Sequence, residues 1–281
     1  MKLAQKIAIN YIRAKLNILA VLSKRKAAQK ALEIFSTPFR KAKKKASPLF
    51  NRAENLSFQL DGNKLRGYRW KTDSAKKILI IHGFESSSIN FVQYIQPLLK
   101  KGYEVVAFDA PAHGRSEGKR IILPKYVKTI SEITRLYGPF SAYLAHSFGG
   151  LALAHFLEHH PHDEETKAVL IAPATETVTA IDSFFRLLDL DEKVRKEFDQ
   201  LISEKGGERP EHYSVRRAAH NIKAKILWIH DENDDVTPLS DALKVKQDDH
   251  KNLEFIITKN LGHRKIYKDP AVIKQVMDFL C

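Results

Sequence analysis

The sequence is poor in sulfur and in tryptophan. Its 281 residues include one cysteine, Cys281, two methionines and two tryptophans. A single cysteine excludes a disulfide within the chain and is typical of proteins in a reducing compartment, so we expect a cytoplasmic protein. Near the centre of the N-terminal segment the longest uncharged stretch is Leu16–Ser23, far short of the roughly 20 apolar residues that span a bilayer. We therefore expect neither a transmembrane helix nor a signal peptide.

Acidic residues are nearly absent from the first 52 residues, which contain 14 lysines and arginines against Glu33 alone. Residues 53–281 contain 33 basic and 32 acidic residues, so the net charge of +14 belongs almost entirely to the N-terminal segment. We divide the chain accordingly into a basic extension, residues 1–52, and a nearly neutral body, residues 53–281.

Apolar residues recur at helical spacing in the basic extension, namely at Leu3, Ile7, Tyr11, Ala14, Ile18 and Leu22. Basic residues share the opposite side, namely Lys2, Lys6, Arg13 and Lys24. This pattern predicts a basic amphipathic N-terminal helix. One interpretation is attachment of residues 1–45 to an anionic membrane surface at its inner face, with Lys41, Lys43, Lys44 and Lys45 adding attraction. The other is a helix docked on the body with a solvated charge run. Nucleic-acid contact or organellar targeting is less favoured, since no aromatic platform or known nucleic-acid motif accompanies the lysines.

After Pro48 short apolar runs alternate with longer amphipathic ones, which predicts an α/β protein with a mostly parallel, doubly wound sheet. Asp61-Gly62 predicts the turn of an opening hairpin between Leu56–Leu60 and Lys64–Trp70. The further predicted strands are Ile78–Ile81, Glu104–Phe108, Ala142–Ala145, Ala168–Ile171, Ile226–Ile229 and Leu253–Ile257. The predicted helices between and after them are Phe91–Lys100, Tyr126–Leu136, Phe148–His159, Ser240–Lys246 and Ala271–Leu280.

The alternation breaks once, between Ala172 and Ile226, where more than fifty residues intervene. The helices predicted there are Ile181–Leu190, Glu192–Glu204 and Ser214–Asn221, punctuated by Gly206-Gly207 and Pro210. We predict that residues from about 175 to 222 are a helical cap inserted over a site at the strand ends.

Residues 143–150 read Tyr-Leu-Ala-His-Ser-Phe-Gly-Gly, an apolar strand end that runs into a serine between small residues. A sharp strand-to-helix turn exposes a serine hydroxyl, and it needs small residues two before and two after the serine. Here those residues are Ala145 and Gly149. The pattern makes Ser147 a candidate nucleophile, which a neighbouring general base must activate.

Four other predicted strand ends carry chemically suggestive residues. They are His82–Glu85, Asp109–Ser116, His230–Pro238 and Leu261–His263. In a parallel sheet, ligands bind beyond the carboxyl ends of the strands, so these segments are expected to meet there. Together with the Ser147 turn they resemble the α/β-hydrolase superfamily, from about residue 54 to the end of the chain. Ala145 departs from the glycine that is usual at its position in that family.

The resemblance implies a catalytic triad in the chain order serine, acid, histidine. Its members would be Ser147, Asp234 and His263, with Asp231 and Asp235 as rival acids. His250 precedes a predicted strand and is expected at the wrong end of the sheet. The resemblance also implies an oxyanion hole made by the backbone N–H groups of Phe84 and Phe148.

Other residues near these motifs are expected to have structural roles. Asp109 and His113 resemble a scaffold turn of the family, and Glu85 is expected to point to solvent or to a partner such as Arg115. The run His159-His160-Pro161-His162-Asp163 has no metal-ligand spacing, and we expect a solvated helix end there. The sequence implies no metal and no cofactor.

The predicted function is that of a serine hydrolase that cleaves a small-molecule ester or thioester through an acyl-enzyme at Ser147. Four apolar residues of the cap, Phe184, Phe185, Leu187 and Leu188, are consistent with an apolar acyl pocket, and core packing of the cap helices explains them equally well. Together with the membrane interpretation, the pocket would favour an acyl-lipid substrate. The same fold also hosts amidases, peptidases, C–C bond hydrolases and acyltransferases. A non-catalytic binding protein is the competing class.

Overall fold

The computed structural model describes residues 3–39 and 46–280, with side chains from residue 6 onward. Lys2, Lys41, residues 43–45 and Cys281 lie outside the described residues, and so does the side chain of Leu3. The chain divides into two compact units, a sheet unit of Pro38–Thr175 and Val215–Cys281 and a helical unit of Met1–Thr37 and Glu176–Ser214. The end of the basic extension at residue 52 and the cap at about residues 175–222 remain predictions from the sequence.

The sheet unit contains one eight-stranded sheet in the order β1-β2-β4-β3-β5-β6-β7-β8. Its strands are β1 Glu54–Leu60, β2 Asn63–Trp70, β3 Lys77–Ile81, β4 Glu104–Phe108, β5 Ala142–His146, β6 Lys167–Ile171, β7 Lys225–Asp231 and β8 Leu253–Thr258. Strand β2 runs antiparallel to both of its neighbours, and β3 to β8 are mutually parallel. The predicted mostly parallel sheet is confirmed.

The first two strands form the predicted hairpin. Leu60 pairs with Asn63, and the two residues between them have positive φ angles, 48° at Asp61 and 71° at Gly62. Two left-handed residues give a tight turn whose twist matches that of the strands, and Asp-Gly is suited to both positions.

The central strands are covered on both faces. Every residue of β4 and β5 is buried, which explains why Val105–Phe108 and Ala142–Ala145 read in the sequence as unbroken apolar runs. The helices of the sheet unit are α3 Val92–Lys100, α4 Leu123–Tyr137, α5 Phe148–His159, α8 Val215–Ala219, α9 Leu239–Gln247, α10 Gly262–Lys265 and α11 Pro270–Leu280.

The helical unit joins the start of the chain to the segment between β6 and β7. Its helices are α1 Leu3–Leu22, α2 Lys24–Phe35, α6 Thr177–Leu188 and α7 Glu192–Gly206. Ser23 separates α1 from α2 because its side chain accepts the backbone N–H of Lys26 and so caps the second helix. None of the helices described between residues 3 and 280 is both long and apolar enough to cross a membrane.

The core of the helical unit is shared by the two distant segments. Leu16, Ala28, Leu32, Phe185 and Phe198 are buried in one apolar cluster. The ring of Phe198 lies 5.1 Å from that of Phe185 and 5.7 Å from that of Phe35, both edge to face. Helices α1 and α2 therefore contribute residues between Ile9 and Phe35 to this unit's core.

Basic residues of the first two helices bind α6 and α7. The Lys24 ammonium lies 2.5 Å from the Asp191 carboxylate, and the Arg25 guanidinium donates to Glu197 and to Glu204. Arg13 donates to the backbone oxygen of Leu187 at 2.8 Å. Arg13 of α1 and Lys24 of α2, which the sequence placed on the basic side of a single helix, thus both make contacts within the helical unit.

Candidate active site

Ser147 lies at a sharp turn between β5 and α5, with φ 55° and ψ −125°. A Cβ atom at Gly149 would lie 2.6 Å from the backbone oxygen of His82 and 2.7 Å from that of Ile81. Only glycine fits at this distance, so Gly149 lets α5 start directly beside the end of β3. The small residue at position 145 is the fully buried Ala145 of β5.

Three buried side chains form a chain of hydrogen bonds at the carboxyl ends of β5, β7 and β8. Ser147 Oγ donates to His263 Nε2 over 2.9 Å, and His263 Nδ1 donates to Asp234 Oδ2 over 2.8 Å. The imidazole can therefore take the serine proton on one side while the carboxylate fixes its tautomer on the other.

The carboxylate of Asp234 accepts four hydrogen bonds in all. Besides His263, its donors are the backbone N–H groups of Val236 and Thr237, at 2.9 and 2.8 Å, and the Thr237 hydroxyl at 2.9 Å. Burial raises the pKa of Asp234, but the hydrogen bond and charge of His263 and the two N–H groups outweigh it, so the pKa lies below its usual value. Asp234 is thus held as an anion beside the imidazole.

The two rival acids lie elsewhere. Asp235 is exposed. Asp231 is buried, and its carboxylate accepts the backbone N–H groups of Leu261 and Gly262 at 3.1 and 2.9 Å. Burial raises the pKa of Asp231, yet its hydrogen bonds, from Gly262 and Thr258 above all, bring the pKa below the usual value. Asp231 therefore holds in place the loop that carries His263.

The loop after β3 lies directly against the serine. A Cβ atom at Gly83 would be 2.8 Å from Ser147 Cβ. The rings of Phe84 and Phe148, the two residues expected to form the oxyanion hole, lie 6.1 Å apart, edge to face. Phe148 is the first residue of α5, where helix N–H groups have no partner within the helix and favour negative charge.

Two histidines fix this loop. Ala110 N–H donates to His82 Nε2 at 2.9 Å, and Glu85 N–H donates to His113 Nε2 at 3.0 Å. An acceptor role at Nε2 requires each neutral ring to carry its proton on Nδ1, which donates to Gly83 O in His82 and to Pro111 O in His113. Burial lowers the pKa of His82 to about 4, so it stays neutral.

The carboxylates of Asp109 and Glu85 also form hydrogen bonds near this loop. The Asp109 carboxylate accepts both the backbone N–H and the hydroxyl of Ser88, at 2.9 and 2.7 Å, which is a scaffold arrangement. Glu85 does not pair with Arg115. Its carboxylate accepts the backbone N–H of Phe39 at 3.1 Å, whereas Arg115 donates to the Tyr68 hydroxyl at 2.9 Å.

Sequence reasoning missed His146, which precedes the serine. Its Nε2 donates to the backbone oxygen of His263 at 3.1 Å, and its ring lies 4.5 Å from that of Tyr267. Burial and the charge of His263 lower the pKa of His146 to about 3. His230, expected in the turn after the strand, lies inside β7 and donates to Thr237 O at 2.7 Å. The signal available in the sequence was the position of each histidine: His146 directly precedes Ser147, and His230 directly precedes Asp231.

The histidine run after α5 makes protein contacts. The ring of His160 stacks on Phe156 with centroids 4.4 Å apart, and His162 Nε2 accepts the backbone N–H of Lys223 at 2.8 Å. Among the described residues, His220, Asp248 and His250 are close enough to share a metal ion. The Asp248 carboxylate already accepts two hydrogen bonds from the Arg216 guanidinium, both at 2.7 Å. His250 precedes β8, at the opposite end of that strand from His263.

Comparison with known proteins agrees with this architecture. A family profile described as serine aminopeptidase, S33, of the hydrolase 4 family, matches residues 72–203. An esterase of Pyrococcus furiosus has a similar structure, with a TM-score of 0.64 and 21% identity, over 87% of this chain and 97% of the esterase. The chain therefore resembles α/β hydrolases both in the sequence of residues 72–203 and in its structure. It has the α/β-hydrolase fold that the sequence motifs predicted.

Two further similar proteins differ in how much of the chain they cover. A bifunctional esterase/perhydrolase of Acinetobacter calcoaceticus is 29% identical over 41% of this chain, and the matched stretch spans 42% of that relative. A bacterial membrane phospholipase A has a similar structure with a TM-score of 0.62 and 16% identity, over 98% of both chains.

Proposed function

We propose that this α/β hydrolase is a serine hydrolase that cleaves carboxylic esters or thioesters through an acyl-enzyme at Ser147. The observation that carries the proposal is the hydrogen-bonded series from Ser147 through His263 to Asp234, at 2.9 and 2.8 Å. A neutral serine is a weak nucleophile, and a base within hydrogen-bond reach is what it needs for attack.

The proposed reaction follows from the hydrogen bonds between Ser147, His263 and Asp234, because they set the path of the proton. Ser147 Oγ attacks the carbonyl carbon as its proton passes to His263 Nε2, and Asp234 stabilises the resulting imidazolium. The carbonyl oxygen becomes an anion, which the backbone N–H groups of Phe84 and Phe148 would stabilise. His263 then gives the proton to the departing alcohol or thiol. Water, deprotonated by His263, cleaves the acyl-enzyme and restores the serine.

Ester chemistry is supported by two of the similar proteins, the bifunctional esterase/perhydrolase of Acinetobacter calcoaceticus and the Pyrococcus furiosus esterase. The match to the serine aminopeptidase profile favours a second candidate, hydrolysis of an N-terminal peptide bond. The two differ in the leaving group. A panel of p-nitrophenyl esters, acyl thioesters and aminoacyl anilides separates them by kcat/KM.

An acyl-lipid substrate and attachment to an anionic membrane surface through residues 1–45 are part of the proposal. Support comes from the phospholipase A, whose likeness extends over the N-terminal helices, and from the basic composition of that segment. Esters of long acyl chains presented in vesicles should then be cleaved better than short soluble esters. A strong preference for short soluble esters would contradict this part of the proposal.

Labelling with a fluorophosphonate probe tests the nucleophile itself. The full chain should be labelled, Ser147→Ala should not, and His263→Ala should be labelled far more slowly. Ser86→Ala, in the neighbouring loop, is the matched control and should be labelled like the parent. Absence of labelling in the folded parent protein would favour a non-catalytic binding protein.

A further inference from the structure

Helix α1 has apolar residues on two opposite faces. The inner face, Ile9, Ile12, Leu16, Leu19 and Ala20, belongs to the core of the helical unit. The outer stripe is Ile7, Tyr11, Ile18, Val21 and Leu22, which are 61, 67, 66, 85 and 78% exposed. The inner face explains how α1 folds. The outer stripe has no role in that packing.

The outer stripe is a continuous surface. At about 100° per residue its five side chains fall within an arc of roughly 100° along one side of the helix. The other large apolar side chains that are exposed in the described part of the chain stand singly on other elements, for example Leu136 on α4 and Ile257 on β8. Single exposed apolar residues are ordinary, whereas a contiguous set marks an interaction surface.

Charge identifies what this surface fits. Residues 1–32 contain no aspartate or glutamate, and the exposed Lys6 and Lys15 lie on either side of the outer stripe. Apolar side chains bordered by lysines suit an anionic bilayer, in which the apolar groups enter the acyl region while the ammonium groups reach the headgroups. A second copy of this chain would bring a like-charged surface against the stripe, and so it fits poorly.

We propose that α1 binds flat on an anionic lipid bilayer with the outer stripe inserted below the headgroups. This deepens the membrane part of the proposed function, on which it rests, by naming the face and the mode of binding. The basic residues supply attraction that salt screens, and the stripe supplies apolar binding that salt does not weaken.

Point substitutions test the stripe better than truncation, because α1 and α2 also contribute residues to the core of the helical unit. Full-length Ser147→Ala, which cannot consume lipid, is mixed with vesicles of phosphatidylglycerol and phosphatidylcholine and then sedimented. Adding Ile7→Gln and Ile18→Gln should lower the partition coefficient at least about tenfold. Adding Leu136→Gln and Ile257→Gln, a matched pair of exposed apolar residues, should leave it within about twofold of the parent.

Salt and a fluorescent reporter separate insertion from charge attraction. At about 1 M NaCl, where the Debye length is about 3 Å, the parent should stay bound and the Ile7→Gln/Ile18→Gln variant should be released. Tyr11→Trp should be quenched by brominated acyl chains, while Leu136→Trp should not.

Three results would overturn the proposal. The first is equal partitioning of the Ile7→Gln/Ile18→Gln variant and the Leu136→Gln/Ile257→Gln control, and the second is full release of the parent by salt. The third is a stable dimer of the parent that dissociates when Ile7→Gln and Ile18→Gln are introduced. Hydrolysis of a soluble ester by chains with an intact Ser147 is measured alongside. Ester hydrolysis without insertion of the stripe would contradict only the membrane proposal. Vesicle binding without ester hydrolysis would contradict only the proposed hydrolase function.

Discussion

The Asp231 carboxylate accepts the backbone N–H of Gly262 over 2.9 Å, one residue before His263. Its other donors are the N–H groups of Asn233 and Leu261 and the Thr258 hydroxyl. A second acid, distinct from the Asp234 to which His263 donates, thus ties the loop of His263 to the end of β7. The position of the imidazole depends on this carboxylate.

Asp231→Asn should lower both stability and turnover. Four donors point at the carboxylate, and the NH₂ group of asparagine would meet two of them, which should cost about 2 kcal/mol or more in the free energy of unfolding. Displacement of His263 should lower kcat about tenfold to a hundredfold. Urea unfolding and ester hydrolysis measure the two effects, with Asp235→Asn as the exposed control. An Asp231→Asn protein as stable and active as that control would contradict this role.

Gly83→Ala should lower kcat while changing the unfolding temperature little. The added Cβ would lie 2.8 Å from Ser147 Cβ and 3.1 Å from His146 Nδ1, so the loop that carries Phe84 must shift away from the serine. Loss of one oxyanion donor typically lowers kcat by about 10²–10³. Steady-state hydrolysis and the unfolding temperature are measured together, and Ser86→Ala is the control in the same loop. Unchanged kcat would show that the loop has no part in the reaction.

Local sequence patterns were sufficient to place the strands and to predict that Ser147, Asp234 and His263 lie close together. Val105–Phe108 of β4 are buried and read as an apolar run, and the chemistry-bearing residues follow β3, β5, β7 and β8 in the chain. Because a parallel sheet brings those strand ends together, sequence order predicted that Ser147, Asp234 and His263 would meet.

Contacts between segments that are distant in the sequence could not be predicted from local sequence patterns. Nothing near Phe35 in the sequence indicates that its ring meets Phe198, since that pairing depends on the fold of the helical unit. One local signal was available there. Ser23 is a good N-cap residue, and it could have indicated that the predicted N-terminal helix ends at Leu22 and that a second helix follows.

Acid should destabilise the protein through its buried histidines. The pKa of His146 is lowered to about 3 and that of His82 to about 4, against about 6.5 in the unfolded chain. Below pH 6.5 the unfolded state binds more protons than the folded state, so the free energy of unfolding falls as pH falls, until the folded pKa values are reached.

Substitution of one of these histidines should flatten the pH dependence. Between pH 7 and pH 5 each buried histidine should cost about 2 kcal/mol, so His146→Phe should lose about 2 kcal/mol less than the parent over that interval. Urea unfolding at several pH values gives the slopes. His159→Gln, at an exposed histidine, should keep the parent slope. A parent-like slope in His146→Phe would show that folding does not lower the pKa of His146.

The helical unit should depend on its apolar core far more than on its ion pairs. Phe198 is fully buried among residues of α2 and α6, and Phe198→Ala should cost about 3–5 kcal/mol. Lys24→Ala removes a half-exposed ion pair with Asp191 and should cost less than about 1 kcal/mol. Hydrogen exchange distinguishes the two, because Phe198→Ala should speed exchange in α2, more than 160 residues away in sequence, as well as in α7. If α2 kept its protection when Phe198 is removed, the two segments would not share one cooperative core.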